Sequence, residues 1–126
     1  MLSELDVQNT IRIEGAMHGL RLWRNNSGAL TDVGGRLVRF GLGNDSARTN
    51  EVCKSSDLIG LGPDGVFVAI ECKREGWKYK GSGRELAQRN FINIVAADGG
   101  IACFATRWQD VYEHFSLCGV QLFRKD

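Results

Sequence analysis

The stretch from Ser56 to Lys73 limits what this chain can fold into more than any other. Val66-Phe67-Val68-Ala69-Ile70 is an apolar run closed by Glu71-Cys72-Lys73, and Ser56-Asp57-Leu58-Ile59-Gly60-Leu61 precedes it across Gly62-Pro63-Asp64-Gly65. Gly-Pro-Asp-Gly suits a tight reversal, because proline pre-sets the first corner and the last glycine is free to take positive φ. The spacing therefore predicts a hairpin, with Asp57 opposite Ile70 or Glu71. A one-residue bulge at Gly65 would favour Glu71. Side chains alternate along a strand, so Glu71 and Lys73 project together while Ile70 and Cys72 point the other way. Two carboxylates and one ammonium then meet at the open end of the hairpin.

Carboxylates that close repel unless a cation lies between them. A hard divalent ion such as Mg2+, held by few carboxylates and keeping several waters, answers that need. The lysine can then orient a water or balance charge on an anionic transition state. The plain alternative is a hairpin whose strand ends carry a solvated salt bridge, since an E-x-K triplet alone is unspecific.

The chain has 126 residues and reads as one domain over 1–126, large enough for a real core. No long apolar segment predicts a membrane span, and Met1-Leu2-Ser3-Glu4-Leu5-Asp6 lacks the basic and apolar regions of a signal peptide. A cytoplasmic protein is expected. Cys53, Cys72, Cys103 and Cys118 are scattered, without a C-x-x-C pair and with only His18 and His114 beside them, which argues against structural zinc. All four thiols are expected to be reduced and structural, and both histidines structural or superficial. The formal net charge is +1, so any attraction to nucleic acid must come from distribution. Arg36, Arg39, Arg48, Lys54, Lys73, Arg74, Lys78, Lys80, Arg84 and Arg89 fall around the hairpin and make a basic face there plausible.

Residues 3–20 read as a helix, capped by Ser3 and striped by Leu5, Val7, Ile11, Ile13, Ala16, Met17 and Leu20. Glu4 and Gln8, with Arg12 after them, share one face; Asp6 faces away from that pair. A strand is expected at Leu20–Arg24, a turn at Asn25-Asn26-Ser27-Gly28, and a second strand at Arg36–Leu42. Residues 43–56 are polar and irregular, and 74–83 form a basic loop with two aromatics. Arg84–Asp98 reads as a helix stopped by Gly99-Gly100, and residues 101–105 as a strand buried on both faces. Thr106 is expected to cap a helix over 108–117, and Gly119–Phe123 to form a last strand. The order predicts an α/β sandwich with a mixed central sheet flanked by helices.

In this order the chain resembles the PD-(D/E)XK nuclease superfamily, where an aspartate precedes an E-x-K strand and a helix packs on the sheet. Within it the chain resembles the virus-type replication-repair nuclease (VRR-NUC) domains, small nuclease domains borne by phages or repair enzymes. The residues carrying the narrower likeness are Glu4 with Gln8, Trp23-Arg24-Asn25-Asn26-Ser27-Gly28, Arg39-Phe40-Gly41, Ser56-Asp57-Leu58-Ile59-Gly60, Glu71-Cys72-Lys73, Gln88 and Gly99-Gly100-Ile101-Ala102. One departure is the longer path from Arg39-Phe40-Gly41 to Asp57, which carries Asp45 and Glu51.

The resemblance implies a restriction-endonuclease-like fold and Mg2+- or Mn2+-dependent hydrolysis of DNA phosphodiesters. It implies that Asp57, Glu71 and the backbone carbonyl of Cys72 hold the metal, and that Lys73 positions the attacking water. Glu4 would complete the site through water or a second metal, although the helix macrodipole alone explains an acid there. Gln88 would align the water or the scissile phosphate; a polar helix residue facing solvent is the alternative. Asn26, Ser27, Lys54, Lys78, Lys80 and Arg84 are candidate DNA-backbone contacts, with Trp77 as a stacking platform. Turn chemistry accounts equally for the first two, and a solvated flexible loop for residues 74–83. A branched-DNA resolvase acting as a homodimer is the specific expectation. Apolar residues of the third helix, among Trp108, Tyr112, Phe115 and Leu117, are the candidate contacts, and a helix that merely covers the sheet is the alternative for them. Restriction-like or flap cleavage, and a non-catalytic nucleic-acid-binding module, are the alternatives.

Overall fold

The computed structural model describes residues 1–125. Their elements, in chain order, are α1 (Glu4–Met17), β1 (Arg21–Arg24), β2 (Gly28–Thr31), β3 (Leu37–Phe40), α2 (Ala47–Val52), β4 (Leu58–Leu61), β5 (Phe67–Cys72), α3 (Gly83–Ala97), β6 (Ile101–Ala105) and α4 (Trp108–Leu117). The main sheet runs β1-β4-β5-β6, with the first three strands antiparallel and β6 parallel to β5. Parallel neighbours need a crossover, and α3 supplies it. The fold is thus α/β with a mixed sheet, as the element order predicts.

The hairpin forms as expected and needs no bulge. Leu58 pairs with Ile70 and Leu61 with Phe67 in one uninterrupted register. Between them Pro63–Gly65 makes a short 3-10 turn in which both Asp64 (φ 61°) and Gly65 (φ 76°) are left-handed. Continued one step past Leu58, the register sets Asp57 across from Glu71.

One face of the sheet packs on α1 and α4. Leu58, Val68, Ile70, Cys72 and Ile101 meet Val7, Ile11, Val111 and Phe115 there. The other face carries Ala69 and Ala102 against Ile92 and Val95 of α3. The middle strand β5 is covered on both sides, which is why its sequence reads as a nearly unbroken apolar run.

Several expectations about the elements are corrected. Arg36–Leu42 yields a shorter strand, β3, which leaves the main sheet and pairs with β2 in a separate two-stranded ribbon. The irregular segment 43–56 contains α2, capped by the Ser46 hydroxyl and docked on α3 through Asn90 to Val52 O (2.8 Å) and Lys54 N to Ala87 O (3.0 Å). Thr106 does not cap α4: its own N–H (2.8 Å) and hydroxyl (3.0 Å) both donate to Asp110, and Arg107 holds the cap position. Gly119–Phe123 is not a strand. Leu122 buries itself in the α1–α4 layer and Lys125 N–H donates to Met17 O, so the segment follows the helices rather than a sheet edge.

The first helix stops at Met17 instead of residue 20. Asp6 Oδ2 accepts from the Ser3 N–H, so its carboxylate belongs to a capping box. All four cysteines are free, but Cys118 is exposed and Cys53 half-buried; only Cys72 and Cys103 fill core space. Phe115 is fully buried, which removes it from the expected contact surface, while Trp108 and Tyr112 pack partly on the core and Leu117 is exposed. Among the described residues no helix is long and apolar enough to cross a membrane.

Candidate active site

At the open end of the β4–β5 hairpin one carboxylate oxygen each from Glu4, Asp57 and Glu71 lie within 4.8 Å of one another. Three separate pieces of chain bring them there. Asp57 precedes β4, and its Oδ2 accepts from the Cys72 N–H (3.0 Å), which locks it to the end of β5. Glu71 lies inside β5 and is 2% exposed. Glu4 stands in the first turn of α1, whose approach is set by a clasp: Leu2 N–H donates to the Glu75 carboxylate (2.7 Å) and Glu75 N–H to Leu2 O (3.0 Å). This clasp joins the chain start to the segment just after β5.

Lys73 and Gln88 complete the cluster. The Lys73 ammonium donates to Gln88 Oε1 (2.8 Å) and lies 3.8 Å from Glu71 Oε2, while the Gln88 amide donates to that same Glu71 oxygen (3.2 Å). Gln88 is buried, so the solvent-facing alternative fails. It works as a strut from α3 that spaces an acid and a base on neighbouring positions of one strand face.

Burial pushes the Glu71 carboxyl well above the ordinary carboxylate range, and the adjacent Asp57 raises it further; Lys73 pulls the other way without cancelling the shift. Burial also raises the Cys72 thiol, which keeps it an inert apolar filler. Hard oxygen donors crowded to the point of retaining a proton suit a hard divalent cation such as Mg2+ or Mn2+. The residues fit that group. The backbone of Cys72, whose carbonyl the resemblance names as a further ligand, meets the cluster through its N–H, which donates to Asp57.

A wall of aromatic rings closes one side. Trp77 and Phe104 stack at 5.0 Å between centroids, and the Lys73 ammonium stands 5.6 Å from the first and 6.0 Å from the second. Cation–π attraction at these separations helps hold the ammonium in place. The Trp77 indole N–H donates to Glu85 (2.8 Å), which also accepts from the Lys80 and Ser82 N–H groups (3.0 and 3.1 Å). Segment 74–83 is therefore tied down at several points, contrary to a freely solvated loop. These bonds, the Ser82 N–H foremost, lower the Glu85 carboxyl to about 2.

The other side opens into a cavity of about 290 Å³ lined by Asn25, Ser27, Arg39, Asn44, Asn50, Lys54, Ser55, Asp57, Glu71, Arg84 and Gln88, together with Gly28 and Ala29. Of the expected DNA contacts, Ser27, Lys54 and Arg84 line it. Asn26 is exposed outside that lining, and Trp77, Lys78 and Lys80 border a separate cavity of about 400 Å³ with Arg74 and Glu85. Arg39, expected only as part of a basic face, lines the cavity, whereas Asn25, Asn44, Asn50 and Ser55 were not singled out as site residues. For Asn25 the local signal was Asn25-Asn26-Ser27-Gly28, read as a turn. In the structure Asn25 donates to Ser55 Oγ (2.8 Å) and Ser56 O (2.9 Å), and its own N–H donates to Asp57 O (2.7 Å), so it aligns the segment that presents Asp57.

No protein-family model, no curated protein and no solved structure matches the chain.

Proposed function

We propose that the chain is a divalent-metal-dependent endonuclease that hydrolyses DNA phosphodiester bonds, built on a PD-(D/E)XK, VRR-NUC-like plan. The observation that carries the reading is the meeting of Glu4, Asp57 and Glu71 beside the buried Lys73, at one end of a cavity that also presents Arg39, Lys54 and Arg84. Asp57, Glu71 and Glu4 would hold Mg2+ or Mn2+. When bound, such an ion acidifies water and neutralises charge developing on a phosphoryl group.

The chain's own residues do the rest. Lys73 offers an ammonium whose position is set by Gln88 and Trp77, ready to orient a water or to stabilise a phosphorane-like oxyanion. Gln88 acts through Glu71 and Lys73 and keeps them from collapsing into a closed ion pair. Arg39, Lys54 and Arg84 counter the repulsion that three carboxylates exert on a polyanion. A non-catalytic binding module offers no reason to bury Glu71 against a second acid at such cost.

Branched DNA as substrate, and a homodimer that makes paired cuts, belong to the same reading. The test is a panel of duplex, flap, splayed and four-way-junction DNAs incubated with Mg2+, Mn2+ or excess chelator. Metal-dependent cleavage of at least one substrate is expected; no cleavage of any under any metal sets the reading aside.

A further inference from the structure

The β2–β3 ribbon lies outside the main sheet, and its base is anchored by one buried side chain. Asn44, 5% exposed, donates from its amide to Gly28 O and Phe40 O (both 2.9 Å), one carbonyl at an end of each ribbon strand. The same side chain accepts at Oδ1 from Arg39 Nη2 (2.8 Å), and its backbone carbonyl accepts from Arg39 Nε (3.3 Å). Arg39 is half-buried and lines the cavity that holds Asp57 and Glu71.

A guanidinium held at two points is more usually held by a carboxylate, which neutralises it. Here a neutral amide does the holding. The geometry is fixed and the positive charge is kept. The ion pairs among the described residues are Lys73–Glu71 and Arg107–Asp110, so Arg39, Lys54 and Arg84 all reach the cavity without an acidic partner. Two of the five guanidinium N–H groups are spent on Asn44, and three remain. Such a fork matches an anion with several acceptor oxygens, and a tetrahedral phosphate is the match for one that must sit beside carboxylates without being one of them.

We infer that Arg39 is a phosphate clamp: it binds a backbone phosphate of the DNA strand next to the bond being cut, and Asn44 is the residue that positions it. The inference rests on the nuclease reading for the identity of its ligand. The ribbon is then the arm that brings the clamp to the cavity, and the strand is held by Arg39 together with Lys54 and Arg84, which line the same cavity.

The experiment measures binding of a fluorescently labelled splayed DNA to the full chain carrying Glu71→Gln, which halts turnover, across a range of salt concentrations. Adding Arg39→Ala is expected to weaken binding about tenfold and to lower the slope of log affinity against log salt by roughly 0.7–0.9, the loss of one phosphate contact. Asn44→Asp is isosteric and places a carboxylate on Arg39, at the loss of the two amide donations to Gly28 O and Phe40 O. In the folded variant it is expected to reproduce that loss of slope although Arg39 is still present. Asn44→Ala leaves the charge and frees the fork, so affinity falls while the slope stays. If Asn44→Asp fails to fold, as judged by circular dichroism, Arg39→Gln on the half-exposed ribbon face decides the matter with the same expected slope. An Arg39→Ala slope equal to the parent's overturns the clamp, and so does a parent that binds no DNA. Binding needs no cleavage, so the two readings separate: a slope loss in a protein that cuts nothing keeps the clamp and removes the nuclease, and cutting with an unchanged slope does the reverse.

Discussion

Lys73 shows how one residue's chemistry depends on its wrapping. Its ammonium touches Gln88, approaches Glu71 at 3.8 Å and lies over two aromatic rings, so its charge is held in a site from which bulk water is largely excluded. Lys73→Ala and Asp57→Ala are each expected to lower cleavage by about 10²-fold or more, the size of a lost transition-state contact. Circular dichroism and DNA binding should change little, since neither side chain fills the apolar core. Near-normal turnover by either variant contradicts its role. Glu85 allows a second test at this scale. Its carboxyl titrates near 2 in the folded chain against an ordinary value of 4.5, so its stabilisation is present above that ordinary value and is lost as pH falls towards 2. Urea midpoints of wild type and Glu85→Gln are expected to differ at neutral pH, to approach one another as pH falls below 4.5, and to converge only near pH 2. A gap that persists in acid assigns Glu85's effect to shape instead of charge.

At the scale of elements, the site is a by-product of strand pairing. Asp57 meets Glu71 because Leu58 meets Ile70, and Asp57 is carried on a strand whose other neighbour is β1. That second pairing has a narrow tolerance. A methyl added at Gly60 would stand 1.7 Å from the Arg21 carbonyl oxygen, an approach that only glycine permits. Gly60→Ala must push β1 away and is expected to cost about 1–3 kcal/mol, typical of overpacking. Equilibrium urea unfolding reads this directly. Because Asn25 follows β1 and aligns Asp57 through its backbone, cleavage by Gly60→Ala should fall by more than the unfolded fraction explains. Activity that simply tracks the folded fraction would uncouple β1 from the site.

For the whole molecule, the crowded acids at the open end of the hairpin link metal, protons and stability. Glu71 keeps its proton in the folded chain at pH values where the unfolded chain has lost it. Metal-free stability is therefore full below the ordinary carboxylate value and declines as pH rises through and beyond it. Thermal unfolding in chelator is expected to show that decline, and Glu71→Gln to abolish it. Mg2+ or Mn2+ binds the deprotonated cluster, so the added stability should grow with pH. Ca2+ is expected to stabilise the fold while supporting cleavage poorly, because its looser, longer coordination acidifies water less. Melting curves that are flat with pH and indifferent to metal would remove the metal site. Assembly is a separate matter: light scattering at micromolar concentration is expected to report twice the chain mass. A monomer that nicks flaps and spares four-way junctions would leave the nuclease reading without the resolvase one.

The hairpin and the trio Asp57, Glu71 and Lys73 are legible in the sequence because local rules govern them, whereas the register, left between Ile70 and Glu71, is decided by the unbulged pairing. A turn sets the reversal, pleating sets the face, and an apolar run marks the buried strand. The helices α1, α3 and α4 are legible for the same reason, through periodicity and punctuation. What the sequence left open lies where contacts join distant residues. Arg36–Leu42 alternates like any strand, and only the competition for partners sends β3 to β2 instead of the main sheet. Gly119–Phe123 has strand-like residues, yet Leu122 gains more by entering the helix layer. Glu4 reaches the acids only because Leu2 and Glu75 clasp across the fold, and Arg39 faces the cavity only because Asn44 binds both strands at the base of the ribbon. Local propensity chooses the elements; burial and hydrogen-bond satisfaction across the chain choose which of their side chains meet.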